Sequence, residues 1–362
     1  MSDTKYWVAL SCIKGIGSQK FQMILKHFNS IKNFWHAEGH EVKEVFGMNQ
    51  KICNTILKYR ETINPDEEMD KINSMGVKVL TLNDEDYPCN LKNIYDPPPV
   101  LYVKGNLKKQ DEISVAIVGS RKATVYGKVI AEKLARELSE YGITIVSGMA
   151  IGIDSCAHKG AISGNARTIA VLGTGIDIVY PRRNASLMQK IIEHGAVVTE
   201  FPLGTTPLPQ NFPARNRIIS GLSLGTIVVE ASERSGALIT ADFALQQGRE
   251  VFAVPGNVTS KYSTGCNRLI KQGAKLVEGV FDVLDELGIV YEKISNEIKD
   301  IAENKLNDEE KEILEMISYQ SSPVDSIIRH SRFSAGKVKA VLTSLEMKGL
   351  IRSLPGSSYI RI

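Results

Sequence analysis

Between residues 113 and 288, short apolar runs rich in β-branched residues recur at regular intervals, and each is followed by a stretch with helical periodicity. The runs are Ile113–Val118, Ile143–Val146, Thr168–Leu172, Ala196–Thr199, Thr226–Val229 and Val251–Val254. A continuous apolar run is what a strand buried on both faces requires, and strands alternating with helices make parallel βαβ units. The expected fold is therefore α/β, an extended Rossmann-like, doubly wound and mostly parallel sheet. Ligands of such sheets bind outside the carboxyl ends of the strands, where the strand order reverses.

The flanks follow other patterns. Residues 1–62 read as a small helical domain, with an amphipathic run Phe21–Phe28 behind the turn Gly15-Ile16-Gly17. That turn is similar to a helix-hairpin-helix, in which glycines let backbone N–H groups approach a phosphate. A shift of 32 residues superposes Gly15 on Gly47, Ile24 on Ile56 and Lys26 on Lys58, a degenerate second copy in which Asn49 replaces Gly17. A small helical packing or protein-interaction module is the competing reading. A connector opens at Asn64-Pro65 and carries Pro97-Pro98-Pro99, which mark an extended segment beside the next domain. Residues 63–290 thus form connector and Rossmann domain, and 291–304 a charged linker. Residues 305–362 follow, with Asn307 as N-cap and Glu310 three residues on, helices at Val324–Ile328 and Ala335–Met347, and a hairpin over 350–360. Three helices and a hairpin outline a winged helix.

Length agrees with several domains, since 362 residues exceed the roughly 250–300 at which a single core splits. No apolar run reaches the roughly 18 residues of a membrane span, and the first residues lack the basic and apolar regions of a secretory signal. Five scattered cysteines without a CxxC pair point to a reducing cytoplasm and away from structural zinc. Net charge is only +3, so attraction to a polyanion has to come from where the cations sit.

They sit after strand ends. Gly119-Ser120-Arg121-Lys122 follows the first strand, Arg182-Arg183 the third, and Arg215-Asn216-Arg217 stands where an apolar helix is expected to begin. Guanidiniums and helix-start N–H groups suit phosphate oxygens. Tyr180 offers either a base-stacking ring or a packed corner. The chain lacks GxxxxGK[ST], and the first strand is not followed by GxGxxG, so neither an NTP-hydrolysing loop nor a dinucleotide site is expected. Asp154 and His158 share a helix face, but two ligands do not make a metal site. Asp177, Glu200 and Glu230 lie near the same edge without a revealing pair spacing, and such carboxylates commonly hold neighbouring loops.

Taken in order, Gly119-Ser-Arg121, Ser147-Gly-Met-Ala-x-Gly-x-Asp154, Tyr180-Pro181 with Asn184, Phe212-Pro-Ala-Arg-Asn-Arg-Ile-Ile219, Ser235-Gly-Ala-Leu-Ile-Thr240 and Val254-Pro-Gly256 resemble the DNA-processing protein A (DprA, also called Smf) family. The resemblance spans about residues 85–290. It implies an extended Rossmann fold that binds single-stranded DNA without catalysis, dimerises, and loads RecA recombinase in natural transformation, with no cofactor or metal. Carried onto this chain, the single-strand site comprises Gly119, Ser120, Arg121, Lys122, Gly148, Arg182, Asn184, Arg215, Asn216 and Arg217. The alternative is a Rossmann-type nucleotide-processing enzyme similar to nucleoside-monophosphate phosphoribohydrolases, with Glu230 as the acid. The missing Pro-Gly-Gly-x-Gly-Thr run counts against it.

Overall fold

The computed structural model describes residues 3–46, 49–289, 306–317, 322–348, 350–354 and 358–361. The chain divides into two compact units, Met1–Tyr291 and Glu292–Ile362. The expected linker 291–304 and Gly47 of the second hairpin copy lie outside the described residues.

The first unit opens with six helices: α1 (Thr4–Ser11), α2 (Ser18–Phe28), α3 (Ile31–His36), α4 (Gly39–Phe46), α5 (Gln50–Thr62) and α6 (Pro65–Ser74). Asn64 caps α6 by accepting the Asp66 N–H at 3.0 Å, and Pro65 occupies the first turn, where its missing donor costs nothing. The apolar faces of these helices bury Trp7, Phe21, Phe34 and Ile56 in one cluster with Val79, Val100 and Tyr102 of the first two strands.

A nine-stranded sheet follows, with elements β1 (Lys78–Thr81), α7 (Cys89–Lys92), β2 (Val100–Gly105), β3 (Ser114–Val118), α8 (Val125–Glu140), β4 (Thr144–Ser147), α9 (Ile153–Ser163), β5 (Thr168–Val171), α10 (Ala185–His194), β6 (Ala196–Thr199), α11 (Asn211–Leu222), β7 (Gly225–Val228), α12 (Gly236–Gln246), β8 (Glu250–Ala253), α13 (Thr264–Lys271), β9 (Lys275–Leu276) and α14 (Val280–Glu286). The strand order is β1-β2-β6-β5-β4-β3-β7-β8-β9. The pairs from β6 to β9 are parallel, while β1–β2 and β2–β6 are antiparallel. All six expected strands are present. Three more, β1, β2 and β9, extend the sheet at its two edges.

The period-two pattern of β3 shows how both faces are covered. Val115 and Ile117 join the cluster of α8, α9 and α14, whereas Ala116 and Val118 join that of α11, α12 and α13. The order reverses at β3, which has β4 on one side and β7 on the other. The loops after these strands therefore part at that point and leave a crevice between them.

The second unit has helices Asp308–Glu315, Val324–His330 and Ala335–Met347 and a three-stranded antiparallel sheet, the winged-helix outline expected from the sequence. The expected capping box is present: Asn307 Oδ1 accepts the Glu310 N–H at 2.8 Å and Glu310 Oε2 accepts the Asn307 N–H at 3.0 Å. Glu310, only 4% exposed, also accepts from Lys348 Nζ and the Ser344 hydroxyl, each at 2.7 Å. Burial pushes its carboxyl upward, but the bonds from Lys348, Ser344 and Asn307 outweigh that and hold it below the usual 4.5. A depressed carboxylate stabilises the fold above its unfolded pKa, and that contribution is lost as pH falls through the folded value. Glu310→Gln is expected to destabilise this unit by about 1–2 kcal/mol at neutral pH, with the gap from the parent closing below the ordinary carboxylate range. Urea unfolding of the full chain at both pH values, followed by hydrogen exchange in residues 306–348, checks this.

Candidate nucleic-acid interface

The loop leaving β3 is shaped by its neighbours. A Cβ at Gly119 would meet Ile153 Cγ1 at 2.6 Å and the Glu230 carbonyl at 3.0 Å, so glycine is required there by close packing. Ser120 N–H donates to Glu230 O at 2.7 Å, and the Ser120 hydroxyl accepts from Lys122 N–H at 3.1 Å. The Glu230 side chain, 4% exposed, accepts the Thr124 N–H at 2.8 Å and the Thr124 hydroxyl at 2.5 Å, and Thr124 caps α8. The β3 and β7 loops are thus tied across the point where the sheet reverses, and Arg121 and Lys122 are left exposed above the tie.

Below them opens a cleft of about 610 Å³. Gly119, Ser120, Arg121, Lys122, Arg215 and Asn216 line it, so six of the ten expected residues converge on one surface. Gly148 lines a smaller adjoining recess together with Arg121, Tyr180, Phe212 and Arg215. The Arg121 guanidinium stands 5.1 Å from the centre of the Phe212 ring, and the Phe212 and Tyr180 rings lie 5.6 Å apart. A cation held over an aromatic face is attracted by the ring quadrupole and is thereby oriented. Tyr262 and Ile239 add apolar surface on the α12 side.

The side chains at the cleft divide into those that face outward and those that support it. Arg215 is 4% exposed, and its Nη1 donates to the Gly148 carbonyl at 2.8 Å and to the Val171 carbonyl. Burial, partly offset by the Asp154 charge, lowers it to about 10. Asp154 is buried beside it and pushed up by burial against the pull of Arg215. A Cβ at Gly148 would lie 2.5 Å from Arg215 Nη2 and 2.8 Å from Asp154 Oδ2. Glycine at 148 therefore makes room for this internal pair. Asn184, 8% exposed, donates to Met149 O at 2.8 Å and Ser155 Oγ at 3.0 Å, and so anchors the loop after β4. His158 is fully buried with Nδ1 2.7 Å from Thr168 Oγ1.

Three of the expected residues line neither the cleft nor the recess. Arg182 is exposed on the turn Arg182–Asn184 but outside the lining, and Asn184 is an internal support. Arg217 leaves α11 elsewhere, where it pairs with Glu200 and, at 3.2 Å, with Asp96. The expectation that Arg215-Asn216-Arg217 mark a helix start is also corrected: α11 begins at Asn211, which places them in its second turn. The Asn211 N–H is already engaged by Leu208 O, and Pro213 has none to offer. Phe212 is the cleft residue that sequence reasoning passed over, although its place just before a first-turn proline was the available signal.

The acids near the rim are all engaged in holding the structure. Asp177 accepts the Gly204 N–H at 3.0 Å, Glu200 pairs with Arg217, and Glu230 holds Thr124. What remains open is a strand-end cleft with exposed cations beside aromatic rings. In a doubly wound fold this defines a Rossmann-type nucleotide- or nucleic-acid-binding protein. The family model described as DNA recombination-mediator protein A matches residues 78–288, and the DprA winged helix domain matches residues 299–357. Protein Smf of Synechocystis sp. is 36% identical over 99% of each chain. The solved structure of DNA processing protein A from Streptococcus pneumoniae has 36% identity and a TM-score of 0.68 over 79% of this chain and 98% of its own. A Helicobacter pylori DNA processing protein A structure, described for its unique single-stranded DNA binding mode, has 31% identity and a TM-score of 0.54 over 59% of this chain and 97% of its own. The chain belongs to the DNA recombination-mediator protein A (DprA/Smf) family.

Because Arg215 supports the cleft from within, Arg215→Ala is expected to act first on stability. It leaves two carbonyls without their donor and takes the positive charge away from buried Asp154, a loss of about 3–5 kcal/mol for a buried charge deprived of its complement. Chemical denaturation measures it; a variant as stable as the parent would show that the guanidinium is not a structural pin.

Proposed function

We propose that this chain is a non-enzymatic mediator that holds single-stranded DNA in the cleft at the β3, β4, β5 and β7 ends, shields it, and loads RecA recombinase onto it, as in natural transformation. The observation that carries the reading is the division of charge at the cleft: Arg121 and Lys122 are exposed beside Phe212 and Tyr180, while Asp154, the acid in the lining, is buried beside Arg215 and the neighbouring Asp177, Glu200 and Glu230 are engaged in holding loops. Cations meet the phosphates, and the rings accept bases of any identity, so binding is blind to sequence. Exposed Arg182, two residues after Tyr180, extends the cationic edge beyond the cleft. The Helicobacter pylori relative's single-stranded DNA binding supports the same ligand here.

The reading includes a cytoplasmic homodimer. All five cysteines are free, as a reducing compartment requires. Among the described residues no helix is long and apolar enough to cross a membrane. The engaged carboxylates speak against the nucleotide-hydrolysing alternative, which needs an acid free to act on a glycosidic bond.

Arg121→Ala and Lys122→Ala are each expected to weaken oligo-dT binding and to lower the slope of log affinity against log salt by about 0.7 for each phosphate that is no longer neutralised. Fluorescence anisotropy across a salt series measures both quantities. Parent-like affinity and slope in both folded variants would overturn the assignment of the cleft. RecA nucleation on oligonucleotide coated with single-strand binding protein, with and without this chain, tests the loading step.

A further inference from the structure

The Gly15-Ile16-Gly17 turn lies far along the chain from the cleft loops and faces an opening of its own. That opening, about 490 Å³, is lined by the turn, by Ser18, Gln19 and Lys20 at the start of α2, and by Tyr95, Asp96 and Arg217 opposite. It shares one element with the main cleft. Helix α11 presents Arg215 and Asn216 to the cleft and Arg217 to this opening.

Three observations point to a ligand that binds here. The first is an exposed glycine that neither packing nor backbone geometry demands. Gly17 has φ −107°, which any residue can adopt, and a Cβ there would meet nothing within 4 Å. By contrast, the neighbouring Gly15, at φ +90°, is needed for the turn itself. The second is the open start of α2. Gly17 is its N-cap and supplies no side-chain bond, whereas in the second copy of the hairpin Asn49 accepts the Ile52 N–H at the same place. The first donors of α2 are left for something outside the helix. The third is a pair of unpartnered polar atoms in the walls. Ser18 is 8% exposed and its hydroxyl has no hydrogen-bond partner, nor has Arg217 Nη1. A buried polar atom left unsatisfied is costly, and such atoms are few in native proteins.

We propose that this opening is a second phosphodiester-binding subsite, which takes the backbone of a single DNA strand as it runs out of the main cleft and round α11. The phosphate sits against the Gly17–Gln19 N–H groups and the Ser18 hydroxyl, an arrangement in which a side chain at position 17 would be in the way. Lys20 Nζ, held on the Gly15 carbonyl at 2.6 Å, adds a positive charge beside it. Asp96 is the acid in the lining, and its carboxylate is engaged by Arg217 Nε at 3.2 Å. Tyr95, 84% exposed with its hydroxyl 3.5 Å from Gln19 Nε2, offers a ring for a base. A helix is about 10–12 Å across with its side chains, so a few nucleotides of extended strand join the two sites. The subsite rests on the single-strand reading above, which it extends.

The test compares anisotropy of two oligo-dT probes, one just long enough to fill the main cleft and one several times longer, across a salt series. Gly17→Leu fills the open space without straining the backbone. It is expected to leave the short probe unchanged, to weaken the long probe about threefold or more, and to lower its salt slope by about 0.7. Ser18→Ala supplies a second arm: it removes an unsatisfied hydroxyl, so stability is unchanged or higher while long-probe affinity falls. If both variants fold and bind the long probe as the parent does, while Arg121→Ala weakens both probes, the subsite is wrong and the cleft stands. If the parent binds neither probe, both readings fall. A hairpin duplex that competes equally with the long probe would overturn the single-strand assignment of the subsite.

Discussion

The candidate site depends on one buried guanidinium. Arg215 bonds to the carbonyls that end two adjacent strands, Gly148 after β4 and Val171 in β5, and lies beside Asp154 at the start of α9. It also belongs to α11, the helix that carries Phe212 one turn earlier. A single side chain therefore fixes how far the aromatic wall stands from the strand ends. The cost is high, since Arg215 and Asp154 are both removed from water and both are shifted toward neutrality by burial. Geometry offsets it, because the rigid guanidinium plane holds Nη1 where its N–H groups reach both carbonyls.

With that support in place, a nearly neutral unit can present a positive opening. Residues 111–290 carry 18 basic and 17 acidic side chains, so no excess of charge makes the cleft. It arises from sorting. The acids at the rim are engaged by N–H groups, a hydroxyl and Arg217, where they hold loops, while Arg121 and Lys122 are left outward. Arg121 is held over Phe212, and an ordered cation loses less freedom when a phosphate arrives.

The parallel sheet was legible in the sequence because a strand buried on both faces must read as an unbroken apolar run, and all six such runs became strands. The edge strands were less legible. Val100–Val103 is just such a run, but Pro97–Pro99 directly precedes it and favours an extended connector; the prolines in fact stop one residue short of the ladder. Strand β9 is two residues long, below any periodic signal. At the site, the sequence placed the cations after strand ends correctly but not their directions. Arg215 and Arg217 are two residues apart on a helix that turns about 100° per residue, so they point about 200° apart and cannot line one wall. That inference needed the start of α11 to be placed at Asn211, which Pro213 allowed, since proline is tolerated in a first turn and not deeper. With the helix started at 215 instead, both arginines looked free to face a ligand.

The same rotation gives Arg217 a different meaning. A residue expected in the main cleft and found on the opposite side of the helix could be a structural ion pair and nothing else, and its bonds to Glu200 and Asp96 favour that. Two acids around one guanidinium nevertheless leave Nη1 without a partner, and Arg217 lines the same opening as the start of α2 and Ser18, whose hydroxyl is also unpartnered. Internal packing explains Gly119 and Gly148, where an added Cβ would strike neighbouring atoms, and backbone geometry explains Gly15. Neither explains Gly17. A glycine that no packing or backbone constraint requires, at the cap of a helix whose second copy carries a capping asparagine, leaves the first N–H groups of α2 open to a group from outside the fold. A phosphate is what an uncapped helix start with a nearby lysine attracts.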